Sequence, residues 1–448
     1  MGEFLFDRGA AEVAEDAALA ENVGAAPRLR WPERCQIEFR YASLDQLLEP
    51  DHRARAVWAL VEGLDLSLWA ARIKAVEGHV GRKATAPQLL VALWVFATLE
   101  GQGSARELAR LCEKHLAYQW LCGGITLNHH LLSDCRSGYP EEWDALLTQV
   151  VASLLNEGLA TMDRVAQDGM RVRAAAGKSS FRSQPTLDQH LAAAREQVAT
   201  LRKLAEEAPQ ELTQRQQAAR ERAAQDRVAR LEAALANCEE LQKKREDRHA
   251  TAPHTPLKPA RASTTDPEAR VMQFSDNGYR PGYNVQFSTD TGSGIIVGVD
   301  VVNQGTDFEQ LPPMLDQLQE RYGQTPREAL VDGGFVSKQV ITAADERKCA
   351  VFAPLKEEQR QLDEGKDPYA KHKGDTPAVA RWRERMGTPA AKETYKLRCQ
   401  TAEWVNALAR NRGLQQMPVR GLMKCRAVAV LYALAHNLMH GARAAAAT

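Results

Sequence analysis

Two short segments that are far apart in the chain constrain the fold most, because each combines β-strand residues with an aspartate and a glycine. The first contains Asp168 and the second contains Asp332. We expect each aspartate to lie at or near a strand end, where the following glycine lets a ligand approach closely. Taken singly, an aspartate before glycine is more often a turn residue. Only folding can bring the two together.

A third carboxylate, Glu403, lies on a predicted helix with an apolar stripe. The stripe consists of Leu397, Thr401, Trp404 and Leu408. If this stripe packs inward, Glu403 falls on its flank, near Tyr395, Arg398 and Arg410 at helical spacing. The alternative is an ordinary solvated, charged helix. Since Mg²⁺ takes oxygen ligands and is often held by carboxylates and substrate phosphates, three such acids predict a cation site that acts on a phosphodiester.

The overall charge does not favour nucleic acid, because 58 Lys and Arg residues balance 58 Asp and Glu residues. Basic charge is instead concentrated locally. Residues 378–426 contain eleven Lys or Arg residues and three acids, and this stretch includes Glu403. Any affinity for nucleic acid should therefore be local to the region that carries the third carboxylate.

The segment before the first strand is expected to be an all-α domain. Residues 1–36 resemble a flexible leader, and the pattern from 37 to 160 is helical, with Pro87 and the capping box at Ser104 marking helix starts. A short polar helix near residues 126–136 has the character of a recognition helix that offers His129, His130 and Arg136 to DNA. The alternative is a small helical bundle with an exposed polar helix.

A helical insert interrupts the strand region. Apolar residues alternate in steps of four and three from Leu187 to Ala205, and a second series runs from Val228 to Cys238. Residues 183–250 are therefore predicted to form a coiled-coil helical hairpin joined near Pro209, with a flexible charged linker as the alternative. The pattern does not indicate whether the hairpin binds a second subunit or DNA.

The remaining pattern predicts an α/β domain. A half-buried strand at residues 283–287, a buried strand at 295–302, and further helices and strands follow the insert. We expect a mixed sheet with flanking helices, built from residues 161–182 and 251–448.

The cysteines and hydropathy favour a protein of the cytoplasm. Eight scattered cysteines show neither a disulfide framework nor zinc-ligand spacing. No segment has the apolar length of a signal peptide or a membrane span. We therefore expect a cytoplasmic protein with no membrane partner.

Several motifs together resemble the DDE transposases of bacterial insertion sequences. They are the Asp168 strand, Asp266–Met272, Pro281–Gln286, Val331–Phe335, the spacing Tyr395-x2-Arg398-x4-Glu403-x6-Arg410, Arg420–Leu422 and His436–Leu438. Residues 41–157 also resemble the helical N-terminal domain common in that group. The Tyr-Arg-Glu spacing is the most specific element, although Arg410 stands where Lys is usual.

The resemblance implies a ribonuclease-H-like catalytic domain. Asp168, Asp332 and Glu403 would be both the catalytic and the metal-binding triad, holding two Mg²⁺ ions for which Mn²⁺ is expected to substitute. Tyr395 and Arg398, with Arg410, would help to place the DNA end. The implied partners are double-stranded transposon ends and target DNA, with a homodimer or higher oligomer assembling on them.

The activity expected is that of a bacterial, nucleoid-associated transposase that binds element ends and catalyses strand cleavage and strand transfer. One alternative is a catalytically inactive or domesticated sequence-specific DNA-binding protein. Another is a scaffold whose hairpin insert mainly supports oligomerisation.

Overall fold

A six-stranded mixed sheet forms the centre of the computed structural model, which describes residues 41–75, 83–207, 213–251, 254 and 256–445. The predicted leader, residues 1–36, lies outside the described residues. From Leu44 onward the described chain forms one compact unit. The prediction of an α/β structure is confirmed, since helices pack around this sheet.

The chain before the sheet is helical, as its pattern predicted. Its helices are α1 (Leu44–Leu47), α2 (Arg53–Glu62), α3 (Ser67–Ala71), α4 (Pro87–Leu99), α5 (Ala105–Lys114), α6 (Leu116–Cys122), α7 (His129–Gly138) and α8 (Pro140–Asn156). Pro87 begins α4, where its missing N–H removes no helical bond. The Ser104 hydroxyl accepts a hydrogen bond from the Glu107 amide and caps α5.

The sheet contains antiparallel and parallel pairs. Its strands are β1 (Arg164–Arg173), β4 (Arg270–Gln273), β5 (Tyr279–Asp290), β6 (Ile296–Val302), β7 (Glu328–Leu330) and β8 (Ala350–Phe352), and a separate two-stranded ladder joins β2 (Phe181–Arg182) to β3 (Ala262–Ser263). The order is β4-β5-β1-β7-β8, and β6 also pairs with β5. The strands β1, β7 and β8 are parallel, whereas β5 is antiparallel to β1, β4 and β6.

Two sequence expectations about the strands were wrong. Asp168 lies in the middle of the ten-residue β1 rather than at its end. The β5 segment was expected to be half buried, but residues 281–290 are all buried. Its polar positions Asn284 and Gln286 therefore lie in the interior.

The insert forms two antiparallel helices, α9 (Gln184–Glu207) and α10 (Gln214–Thr251). Leu187 and Leu191 of α9 pack with Leu231 and Cys238 of α10 in an apolar cluster separate from the main core. Ion pairs also join the two helices at Arg195–Glu232 and Arg202–Glu221. Coiled-coil packing along their length remains a prediction.

Helices after β6 cover the sheet and complete the fold. They are α11 (Leu311–Tyr322), α12 (Lys338–Glu346), α13 (Glu358–Asp363), α14 (Pro377–Met386), α15 (Pro389–Arg398), α16 (Trp404–Asn411) and α17 (Leu422–Ala445). The helix α17 packs between β6 and the N-terminal helices α4 and α8. The buried Asn437 side chain bonds both the amide and the carbonyl of Ile296, which fixes α17 to β6.

Among the described residues, no helix has the length and apolar character needed to cross a bilayer. The cysteines of the described part, which begins after Cys35, are free thiols.

Candidate active site

The first two predicted acids lie at one end of a parallel strand pair. The strands β1 and β7 pair in parallel over 164–166 and 328–330. Asp168 lies two residues after the paired part of β1, and Asp332 lies two residues after Leu330, the last residue of β7. Because the strands run in the same direction, both acids emerge at the same side of the sheet, where they line a cleft of about 650 Å³.

The cleft opens onto an edge of β1. Among the described strands, β7 ends opposite Ala166, and the next backbone contact on that side of β1 is an isolated bridge between Arg173 and Gln416. The segment 167–172 therefore has a gap beside it in the sheet.

Glu403 comes from an irregular turn in an otherwise continuous helical stretch. Between α15 and α16, Cys399–Glu403 form a π-helical turn. A π turn inserts an extra residue into the helix and is common at functional sites. Glu403 comes five residues after Arg398, and the π turn brings the two side chains together. The Arg398 guanidinium donates to Oε1 of Glu403 at 2.8 Å.

The π turn also changes which residues of this stretch are buried. The sequence predicted an inward stripe that included Trp404, but Trp404 is 39% exposed. Thr401 is buried as predicted, but after it the buried positions are Ala402, Val405, Asn406 and Ala409 rather than Trp404. The predicted stripe was wrong after Thr401 because it assumed a uniform α-helical period, whereas the π turn rotates the following residues about the helix axis.

Arg398 connects the acids from two different elements. One of its nitrogens lies 2.8 Å from Glu403, and the other donates to Oδ1 of Asp168 at 3.1 Å. The Asn406 amide donates to Oδ2 of Asp168 at 3.0 Å, and the Gly169 amide donates to Oδ1 at 3.0 Å. Both oxygens of Asp168 therefore have partners.

The electrostatics of this group are set by burial and by mutual charge. Burial raises the pKa of Asp168, the Arg398 charge opposes this rise, and the nearby Asp332 and Asp307 charges add to it. Burial would lower the pKa of Arg398, but the surrounding carboxylates, Asp168 first, raise it instead. Arg398 thus remains a cation held between acids.

The cleft combines acidic and basic side chains. It is lined by Asp168, Gly169, Arg171, Thr306, Asp307, Phe308, Asp332, Gly334, Arg398, Glu403, Asn406 and Arg410. The Asp332 side chain accepts a hydrogen bond from the Gly334 amide at 2.8 Å, which orients it in the turn after β7. Arg410 is exposed, and its guanidinium has no acidic partner among the described residues.

Tyr395 lies beside the same group. Its side chain is half buried, and burial raises its pKa, with the charges of Asp332 and Asp168 contributing to the rise. The structure therefore places Tyr395, Arg398 and Arg410 next to the three acids.

The residues proposed for DNA reading on α7 have different environments. Arg136 is buried and stacks over the Trp94 ring with its carbon 4.6 Å from the centroid, and its guanidinium donates to the Gly103 carbonyl. Burial lowers the pKa of Arg136 to about 10. The expectation that Arg136 faces DNA was therefore wrong, because the side chain joins α7 to α4. His130 is exposed, and His129 is half buried beside it.

The cleft residues that were not predicted include Arg171, Asp307 and Asn406. Asp307 is buried, and Oδ1 accepts hydrogen bonds from Asn284 at 2.7 Å and from Gln286 at 2.6 Å. The one signal available was in β5, where the amide residues Asn284 and Gln286 alternate with Tyr283, Val285 and Phe287. Amides in a buried strand require polar partners, which Asp307 supplies here.

The cleft contains side chains of the chemical type that binds a divalent cation. Carboxylate oxygens are the ligands that Mg²⁺ and Mn²⁺ prefer, and Asp168, Asp332 and Glu403 all line the cleft. Within the described residues, however, no three His, Cys, Asp or Glu side chains are gathered closely enough to hold an ion as they stand. The Arg398 guanidinium instead forms ion pairs with Asp168 and Glu403.

Two family models match the chain. The model described as Transposase DDE domain matches residues 249–438, which include Asp332 and Glu403 but not Asp168. The model described as Transposase domain (DUF772) matches residues 42–138. Neither the curated proteins nor the solved structures include a match. The two transposase matches span well over half of the sequence, in the order that the motifs indicated, and the chain belongs to the DDE transposases of insertion sequences.

Proposed function

We propose that this transposase binds the ends of an insertion sequence and catalyses metal-dependent strand cleavage and strand transfer. One observation carries the proposal. Three carboxylates from distant parts of the chain, Asp168, Asp332 and Glu403, line one cleft together with three arginines. A mixed sheet with helices around it and the first acid on a central strand supports a ribonuclease-H-like catalytic domain.

The three acids would hold two divalent cations. When bound, Mg²⁺ stabilises the attacking and leaving oxygens of an in-line displacement at phosphorus. For the acids to bind cations, the Arg398 guanidinium must leave Asp168 and Glu403, and a DNA phosphate offers it an equivalent anionic partner. Arg410, which has no acidic partner among the described residues, is available to a second phosphate. Tyr395 would position the DNA end beside them.

The same site would carry out both reactions. Water attacks the scissile phosphorus first, and the bond to the 3′-oxygen breaks to leave a 3′-hydroxyl at the element end. That hydroxyl then attacks a phosphorus of the target DNA and displaces another 3′-oxygen. Neither exchange needs a covalent bond to the protein.

The N-terminal helices would read the end sequence, with residues 37–160 as the DNA-binding domain. His130 is exposed on α7, and His129 lies next to it, so both remain candidates for base contacts. Residues 161–182 and 251–448 would form the catalytic domain. We further propose that a homodimer or a higher oligomer assembles on the DNA, in the cytoplasm of a bacterial cell.

Isosteric substitutions test the triad. We expect Asp168→Asn, Asp332→Asn and Glu403→Gln each to reduce nicking of an end-containing duplex in Mg²⁺ by about 100-fold or more, because each removes a charged ligand. Asp188→Asn, on the exposed face of α9, is the matched control and should nick normally. The thermal unfolding of every variant should be compared with that of the unmodified protein.

The proposal fails if all three folded variants nick at the unmodified rate. If the unmodified protein binds end DNA sequence-specifically but never nicks it in Mg²⁺ or Mn²⁺, the alternative of an inactive DNA-binding protein is correct.

A further inference from the structure

Arg171 is one of the three arginines of the cleft, but unlike Arg398 and Arg410 it has not yet been assigned a DNA contact. It belongs to β1, three residues after Asp168, and its side chain is 32% exposed. Side chains three positions apart in a strand leave from opposite faces. Asp168 therefore meets Arg398 on one face of β1, whereas Arg171 lies on the other face and reaches the same cleft at the open strand edge.

One edge of the Arg171 guanidinium is anchored to the backbone. Its Nε and one terminal nitrogen both donate to the Gly305 carbonyl, at 3.2 and 3.0 Å. The second terminal nitrogen has no hydrogen-bond partner among the described residues. The planar group is thus held in a fixed orientation with donors left over, an arrangement suited to a phosphate oxygen.

The nearest acid, Asp307, forms no hydrogen bond with Arg171. Oδ2 of Asp307 lies 3.8 Å from the guanidinium, which is beyond hydrogen-bond distance. The other oxygen of Asp307 already accepts two bonds, from Asn284 and Gln286. Asp307 therefore attracts Arg171 electrostatically and leaves its donors free for a ligand.

The residues next to Arg171 on β1 and β5 pack closely against Asp307. The cross-strand partners of Gly169 and Arg171 are Gln286 and Asn284, the same two residues that hold Asp307. A side chain at position 169 would overlap Asp307, so the glycine beside Asp168 lets the carboxylate of Asp307 lie against β1. The position of Arg171 is thereby coupled to the backbone that carries the first catalytic acid.

We propose that Arg171 is a DNA-contacting residue that binds a backbone phosphate from the face of β1 opposite Arg398. The DNA strand at the cleft would then be held from both faces of β1, by Arg398 and Arg410 on one face and by Arg171 on the other. This inference rests on the proposed function, because it takes the ligand of the cleft to be a phosphodiester.

The test is the salt dependence of DNA binding. A fluorescein-labelled duplex of arbitrary sequence is titrated with the full-length protein at a fixed Ca²⁺ concentration and several KCl concentrations, and binding is followed by fluorescence anisotropy. Each phosphate contact contributes about 0.9 to the slope of log affinity against log salt. We expect Arg171→Ala to lower the magnitude of this slope by about 0.9 and to weaken binding about tenfold.

Further variants separate charge from structure. Arg171→Gln can still donate to the Gly305 carbonyl but has no charge, so it should give the same loss of slope even if the alanine variant is unstable. Arg171→Lys should keep most of the slope and lose part of the affinity, because an ammonium group lacks the planar fork. Arg327→Ala is the matched control, since Arg327 is 82% exposed at the opposite end of β7 and should leave binding unchanged.

The outcomes distinguish this inference from the proposed function. If Arg410→Ala lowers the slope but Arg171→Ala and Arg171→Gln do not, Arg171 is not a phosphate contact and the proposed function stands. If neither Arg410 nor Arg171 variants change the slope, the cleft does not bind the DNA backbone, and both proposals are overturned.

Discussion

At the residue scale, the environment of Asp168 depends on the glycine beside it. A Cβ at Gly169 would lie 1.8 Å from Oδ1 of Asp307 and 2.5 Å from Nε2 of Gln286. No side chain can occupy that space while these groups keep their positions. The glycine is therefore needed for close packing against a buried carboxylate, rather than for a left-handed backbone conformation, since its φ is not positive.

Gly169→Ala should consequently destabilise the protein. We expect a loss of about 1–3 kcal/mol in the free energy of unfolding, measured by urea denaturation, because the added methyl overpacks the site. The double variant Gly169→Ala, Asp307→Ala removes the overlapping carboxylate and lets Gln286 turn away. Its loss in the free energy of unfolding should be smaller than the sum of the losses in the two single variants.

Gly333→Ala is the control for this prediction, since the nearest atom to a Cβ at Gly333 is 3.7 Å away. We expect the Gly333 variant to unfold like the unmodified protein. Strict additivity of the Gly169 and Asp307 substitutions would show that their contact does not determine stability.

The cleft residues differ in how far the sequence could predict them. Asp332 and Glu403 belong to motifs with characteristic neighbours, so their proximity was expected before the fold was known. Arg171 and Asp307 carry no such signal, because their relationship depends on the Gly305 carbonyl and on two strands that meet only in the folded protein. Arg136 was misassigned since polar character alone does not distinguish an exposed arginine from one stacked on Trp94.

At the element scale, the π-helical turn at Cys399–Glu403 sets the relation between Arg398 and Glu403. A side chain in an α-helix advances by about 100° per residue, so one extra residue in a turn changes which side chains share a face. Here Arg398, Glu403 and Asn406 all reach the cleft. The sequence pattern could not reveal this turn, because an apolar stripe is identified by assuming a constant α-helical period along the whole helix.

Removing one residue from the turn should therefore disrupt the site while leaving the helices intact. Deletion of Gln400, which is exposed, would restore an α-helical period and rotate Arg398 by about 100° relative to Asn406. We expect nicking in Mg²⁺ to fall by about 100-fold, and the far-ultraviolet circular dichroism to stay unchanged.

Gln400→Ala keeps the chain length and is the matched control for the deletion. It should retain both nicking and helicity. Normal nicking by the deletion variant would mean that the relative positions of Arg398 and Glu403 are not set by the π turn.

The central strand β5 shows a second limit of periodicity. Alternation of polar and apolar residues predicted a strand with one face in solvent, yet Asn284 and Gln286 are fully buried. Their side chains hydrogen-bond Asp307 instead of water. Alternation reports two chemically different faces, and only the tertiary structure shows whether the polar face meets solvent or a buried acid.

At the scale of the whole molecule, a long helical insert separates Asp168 from the other two acids without disturbing the sheet. The chain leaves at β2 and returns at β3, and these two strands pair at Phe181–Ser263 and Arg182–Ala262. The ends of the insert are thus side by side. Its apolar cluster is separate from the main core. A 2.7 Å hydrogen bond from Arg270 of β4 to Asn237 of α10 links the insert to the sheet.

This arrangement predicts that the insert can be removed from the folded protein. Replacing residues 184–260 by a short Gly/Ser linker should leave the sheet and cleft intact, with a stability loss of about 1–2 kcal/mol from the lost contacts at the base. Thermal unfolding and Mg²⁺-dependent nicking of a duplex are the measurements. Failure to fold would show that the insert belongs to the main core.

The shortened protein also tests what the insert does. Leu231→Asp in the full chain is the companion variant, because it breaks the buried contact between α9 and α10 and retains the chain length. If the insert mediates assembly, both proteins should lose self-association on size-exclusion chromatography while still nicking DNA, since the cleft residues lie outside residues 184–260. If the deletion abolishes nicking but the Leu231 variant does not, the length of the insert rather than its packed helices would matter for catalysis.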